Sequence, residues 1–83
     1  MEKIINPFDN NCIGCSQKNP IGLKMEFFYD KRQREVVSVW KPQENFQGYP
    51  NVLHGGIQTT MVDEIAAWSV YILLETAGVT KNL

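Results

Sequence analysis

The stretch from Ile57 to Ala77 constrains this chain more than any other feature. It carries apolar residues at helical spacing, and from Ile65 onward it is apolar nearly all round. Ile57, Met61, Ile65, Ile72 and Thr76 share one helical face, while Val62, Ala66, Val70 and Leu73 widen it. At about 1.5 Å per residue such a helix runs roughly 30 Å. A helix this apolar has to be buried. Gly78 suits its C-terminus, because glycine takes the left-handed conformation there at no steric cost. Whatever else the chain forms must therefore cover this helix.

The cover on offer is small. Leu23, Met25, Phe27 and Tyr29 alternate onto one face, the period of a half-buried strand. A polar turn, Asp30-Lys31-Arg32-Gln33-Arg34, leads into the β-branched run Glu35-Val36-Val37-Ser38-Val39-Trp40, which Pro42 stops. Together they read as an antiparallel hairpin. The residues before Leu23, rich in Asn, Pro, Gly and Cys, read as an irregular lead-in. The expected class is α+β, with residues 1–83 as one small domain. A lone hairpin is marginal and cannot cover the helix. More strands are expected, from residues after Leu83 or from another chain, and Val79–Leu83 reads as the entry to one. The expectation is of an incomplete domain, or of one completed by association.

Charge and composition exclude several partners. Eight basic residues against nine acidic give a net charge of -1 with no basic stripe, which favours neither nucleic acid nor an anionic membrane. Lys31, Arg32 and Arg34 fall together at the hairpin tip, as a solvated turn would place them. The longest apolar stretch, Ile65 to Leu74, is interrupted by Ser69 and falls far short of the roughly 20 residues of a membrane span. The first residues, Met1-Glu2-Lys3-Ile4-Ile5-Asn6-Pro7, hold no apolar signal core. A soluble, cytoplasmic chain with reduced cysteines is expected.

Chemistry concentrates around the start of the helix. The first amides of a helix have no internal partner, and its dipole makes that end mildly positive. Gly55 and Gly56 let a ligand approach those amides, so they can cradle a carbonyl oxygen that turns negative during attack. The plainer reading is that they only make a tight turn. Asp63 and Glu64 follow on the same helix, where a carboxylate can act as nucleophile or general base. The plainer reading has them facing water or paired with Thr59 or Thr60. Gly55 and Asp63 are eight residues apart, about 12 Å along the axis, and cannot reach one carbonyl group within a single chain. If both act, the site joins Gly55 of one subunit to Asp63 of another, and a two-fold pairing of helices builds it twice. His54, the only histidine, is either a general base or a ring that orients the loop. Cys12-x-x-Cys15 is half of a metal or redox motif without its other half, so no metal site is expected and both cysteines read as structural. Trp68 and Tyr71 read as core before they read as an acyl tunnel.

Three segments together resemble the PaaI-like branch of the hotdog thioesterase superfamily. They are Cys12-x-x-Cys15 with Asn19-Pro20-x-Gly22-Leu23, then Phe46-Gln47-Gly48-Tyr49-Pro50-x-x-x-His54-Gly55-Gly56, then Met61-Val62-Asp63-Glu64. The resemblance runs from residue 12 to the end. It implies a long central helix wrapped by a curved antiparallel sheet, in dimers or tetramers with a cross-subunit site. It implies hydrolysis of acyl-coenzyme A or acyl-carrier thioesters, with no cofactor beyond the coenzyme A of the substrate. By position, Gly55 matches the oxyanion amide and Asp63 the acid that activates water or attacks. His54 matches the residue that helps set up the carbonyl, and Glu64 takes a supporting role. Gly56, Gln47 and Asn19 fall at substrate-binding positions. The resemblance implies several more strands after this point, so residues 1–83 alone are expected to form only part of the coenzyme-binding surface. A non-catalytic acyl-thioester-binding or interaction module is the alternative. A hotdog dehydratase ranks last, because the helix carries no histidine.

Overall fold

The computed structural model describes residues 1–76. Strand β1 (Glu2–Lys3) is followed by β2 (Phe28–Asp30), β3 (Glu35–Val37), a 3-10 turn (Glu44–Phe46) and helix α1 (Gly55–Thr76). The sheet is antiparallel in the order β1-β2-β3. The chain is α+β, as expected, and the hairpin pairs Phe28 with Val37, Tyr29 with Val36 and Asp30 with Glu35. The Asp30 side chain closes its turn by accepting from the amides of Arg32 (3.0 Å) and Gln33 (3.3 Å).

Both hairpin strands are shorter than the alternation implies. Leu23, Met25 and Phe27 do point inward, but the backbone partner of Leu23 and Met25 is the Cys12–Cys15 loop. The Leu23 amide donates to the Ile13 carbonyl (2.7 Å) and the Met25 amide to that of Gly14 (2.9 Å). Lys24, between them, takes a left-handed φ of 54°. Regular pairing starts only at Phe28. β3 stops at Val37, and side chains then bond where a ladder would continue. Ser38 Oγ donates to the Glu26 carbonyl (2.6 Å) and Trp40 Nε1 to that of Leu23 (2.8 Å). The lead-in is also less irregular than its composition suggests. β1 pairs with β2, and the Ile4 amide extends the register to the Phe27 carbonyl (2.8 Å).

The core is Cys15, Leu23, Met25, Phe27 and Trp68, ringed by half-buried Ile4, Val36, Ile57, Met61 and Ile65. Trp68 stacks on Phe27 (centroids 5.5 Å apart) and meets Tyr71 edge-on at 5.2 Å, so it is core, as its setting in the helix suggests. The helix is buried on one side only, which corrects the expectation of burial all round. The sheet and loops cover Ile57, Met61, Ile65 and Trp68, whereas Val62, Val70 and Leu73 on the far side are 66%, 55% and 67% exposed. Among the described residues no helix is long and apolar enough to cross a membrane. The expected cap at Gly78 and the strand entry at Val79–Leu83 lie outside the described residues.

Candidate functional site

The loop before α1 is held by its own backbone. The Gly48 amide donates to the Val52 carbonyl (2.8 Å), and the His54 amide to that of Phe46 (2.9 Å). Gln47 Oε1 accepts the Asn51 amide (3.0 Å) at a residue with φ of 65°, so its side chain shapes the loop. These bonds bring His54 to the start of α1 as its cap. Its Nδ1 accepts the Gly56 amide at 2.9 Å, the bond by which capping side chains satisfy an orphan donor. That assigns the ring's proton to Nε2 in the neutral form. Through this bond the ring fixes the first turn of the helix.

The same bond separates the two glycines. The Gly56 amide is spent on His54, and a side chain at this position would meet the ring 3.1 Å away. The Gly55 amide has no acceptor among the described residues, and a Cβ there would meet nothing within 4 Å. One N–H at the positive end of a 22-residue helix is thus left without an acceptor among the described residues, at a glycine whose Cβ side is open. Thr59 and Thr60 turn their hydroxyls back to the carbonyls of Gly55 (3.0 Å) and Gly56 (2.9 Å), and so do not engage Asp63. Asp63 is exposed, without hydrogen bond or ion pair among the described residues, at the margin of the uncovered Val62–Val70 face. Since both residues belong to one continuous helix, the 12 Å axial separation inferred from their spacing holds.

Glu64 stands apart from Asp63. One residue along a helix is a 100° rotation, and this one carries Glu64 from the open side onto the Cys12–Cys15 loop. Cys12 Sγ donates to Glu64 Oε1 at 3.4 Å. Cys12 Sγ also accepts the Cys15 amide at 3.3 Å. Burial, then the hydrogen bond to Cys12, then the charge of Glu64 push the Cys15 thiol up to about 12. Asn19 stays inside the N-terminal loop, its Oδ1 accepting the Ile21 amide (3.1 Å) and its Nδ2 donating to the Asn11 carbonyl (3.0 Å). The structure thus gathers Gln47, His54, Gly55 and Gly56 at one helix end. Asp63 stands two turns away, and Glu64 turns toward the cysteines. Sequence spacing gives no sign of that last grouping, because Cys12 and Glu64 are 52 residues apart.

The chain is similar to two curated proteins. It is 38% identical over 45 residues to the uncharacterized protein C26H8.11c of Schizosaccharomyces pombe, covering 54% of this chain and 26% of that protein. It is 32% identical over 65 residues to the acyl-coenzyme A thioesterase THEM4 of Xenopus laevis, covering 75% of this chain and 29% of that protein. No family model matches the chain, and no solved structure does. In both likenesses the match spans less than a third of the relative's length.

Proposed function

We propose that this chain is part of an acyl-thioester hydrolase of the hotdog type, acting on acyl-coenzyme A or acyl-carrier substrates. The observation that carries the reading is the Gly55 amide at the N-terminus of α1, which has no acceptor among the described residues and sits at a glycine with an open Cβ side. The sheet packed on one long helix is compatible with part of such a domain, and the likeness to an acyl-coenzyme A thioesterase supports the chemistry. The Gly55 amide receives the thioester oxygen as it becomes negative, and His54 holds the helix start in place by its bond to Gly56. Asp63 comes from a second copy, whose helix pairs about a two-fold axis along the uncovered Val62, Val70 and Leu73 face. Its carboxylate takes a proton from water as the water oxygen bonds to the carbonyl carbon; the C–S bond then breaks, the thiolate leaves and takes up that proton, and the acid is released. If the carboxylate instead attacks the carbon itself, the same C–S cleavage leaves an acyl–Asp63 anhydride, which water then hydrolyses to release the acid and restore Asp63.

The test uses the protein in its assembled form, with acyl-coenzyme A as substrate and thiol release as the readout. Asp63→Asn is expected to abolish turnover while leaving substrate binding. Gly55→Pro removes the amide at the first helical position, where proline is compatible with a helix, and is expected to do the same. Mixed and reassociated, the two inactive variants should recover about a quarter of wild-type turnover, because half the random dimers hold one intact site of two. Binding without wild-type turnover would identify a binding module instead. Recovery absent from a mixture shown to contain heterodimers would sink the shared site.

A further inference from the structure

The Cys12–Cys15 loop and Glu64 form a cluster that the hydrolase reading does not use. The two sulfurs and one carboxylate oxygen all lie within 4.8 Å of one another. Cys15 is buried, Cys12 and Glu64 are half-buried, and neither cysteine is in a disulfide. We propose that Cys12 Sγ, Cys15 Sγ and the Glu64 carboxylate bind a single thiophilic divalent cation of the zinc class, pinning the N-terminal loop to α1. Three protein donors and one water complete the tetrahedral set that zinc favours.

Three features of the surroundings fit that use. First, the loop is preformed: the Cys15 amide donates to Cys12 Sγ (3.3 Å) and the Ser16 amide to the Cys12 carbonyl (3.1 Å), folding the two cysteines toward one point. An N–H aimed at sulfur serves a metal-bound thiolate better than a neutral thiol, because the acceptor then carries charge. Second, Gly14 leaves the space through which Glu64 arrives. A Cβ at Gly14 would stand 2.5 Å from Glu64 Cγ, 2.6 Å from Cδ and 2.8 Å from Oε1. Third, Glu64 joins none of the ion pairs among the described residues; those are Lys3–Glu26, Lys18–Asp9 and Lys31–Glu2. A half-buried carboxylate beside two sulfurs, paired with no lysine or arginine among the described residues, is a donor set that a cation would neutralise. The expectation of no metal site rested on two thiols alone, and the fold brings a third donor to them. Two thiolates and one carboxylate select zinc, cobalt or cadmium over magnesium or calcium, which prefer all-oxygen sites. Binding displaces the protons on both sulfurs and forms two metal–sulfur bonds; no electron is transferred.

The test takes the full chain, reduced and stripped with a chelator, and titrates it with Co2+ and then Zn2+. One equivalent of Co2+ should develop the sulfur-to-metal charge-transfer absorption of two thiolates with the visible bands of a tetrahedral site. One equivalent of Zn2+ should bleach both and raise the thermal midpoint. Glu64→Gln, nearly isosteric, should weaken Zn2+ by about tenfold or more, since even loss of an outer-sphere partner costs 10–100-fold. Asp63→Asn, one residue away but on the open side, should leave the affinity unchanged. Cys12→Ser and Cys15→Ser should each cut the charge-transfer absorption to half or less. No saturable Co2+ spectrum from the wild-type chain would overturn the proposal, and that arm needs no variant to fold. Affinity untouched by Glu64→Gln would also overturn it, as would a chain that isolates only as the Cys12–Cys15 disulfide and takes up no metal after reduction.

Discussion

Replacing Gly14 by alanine should destabilise the chain when Glu64 is present and stabilise it when Glu64 is gone. The three atoms nearest a Cβ at Gly14 all belong to Glu64, at 2.5, 2.6 and 2.8 Å, and real Cβ atoms do not tolerate contacts that short. The Glu64 stem would have to swing out, giving up its contact with Cys12. Overpacking of this kind costs about 1–3 kcal/mol. Gly14 lies outside the left-handed region, so alanine brings no backbone strain of its own. Where the space is free, Gly→Ala stabilises by about 0.4–1 kcal/mol, through the entropy of the unfolded chain. In the Glu64→Ala background the sign should therefore reverse. The coupling between the two sites is expected at roughly 1–3 kcal/mol, as for residues in contact. Against a total of about 4–12 kcal/mol for a chain of this length, that is readily measured. Urea unfolding of wild type, both single variants and the double variant, followed by far-ultraviolet circular dichroism with chelator and reductant present, gives the cycle. Protein concentration must be held constant, because any association adds to apparent stability. Additivity within about 0.5 kcal/mol would refute the placement of Glu64 over Gly14.

Two further substitutions probe the core and the helix start. Trp68→Ala removes the ring that stacks on Phe27 and meets Tyr71, and should cost about 3–5 kcal/mol, a large share of the total, and so lower the thermal midpoint steeply; an unchanged midpoint would mean that Trp68 is not the centre of the core. His54→Ala should cost about 0.5–2 kcal/mol through the lost cap, whereas His54→Asn, which can accept the Gly56 amide, should restore most of it. If alanine and asparagine melt alike, His54 is not a cap.

The parts of the structure legible in the sequence are those set by local periodicity. Alternation at Leu23, Met25 and Phe27 fixed which side chains point inward, even though the backbone there kinks at Lys24 and bonds to a loop. The 3.6-residue period located α1 to within a residue or two, and the Gly-Gly pair marked its start. What resisted reading was non-local. Nothing near Glu2 announces that β1 will pair with β2, because two residues carry no period. The half-exposed state of α1 depends on how much sheet is there to cover it, which no pattern within the helix encodes. The division of labour between Asp63 and Glu64 was equally hidden. An Asp-Glu pair looks like one acidic feature, yet on a helix it is two, and only the path of the Cys12–Cys15 loop decides which of them it meets.

The sheet order β1-β2-β3 has a consequence for how this fold can grow. A three-stranded sheet has two outer edges, and here they differ. The β1 edge is two residues long, and its side chains are drawn into the exposed pairs Glu2–Lys31 and Lys3–Glu26, so it offers a newcomer a short and charged template. The β3 edge runs through Val36 and Val37, free of proline until Pro42, and lies on the strand against which α1 packs. A strand added there would gain backbone bonds along β3 and set its side chains over the helix. Growth of the sheet therefore has a direction, outward from β3, and a strand arriving on that side would begin to roof α1.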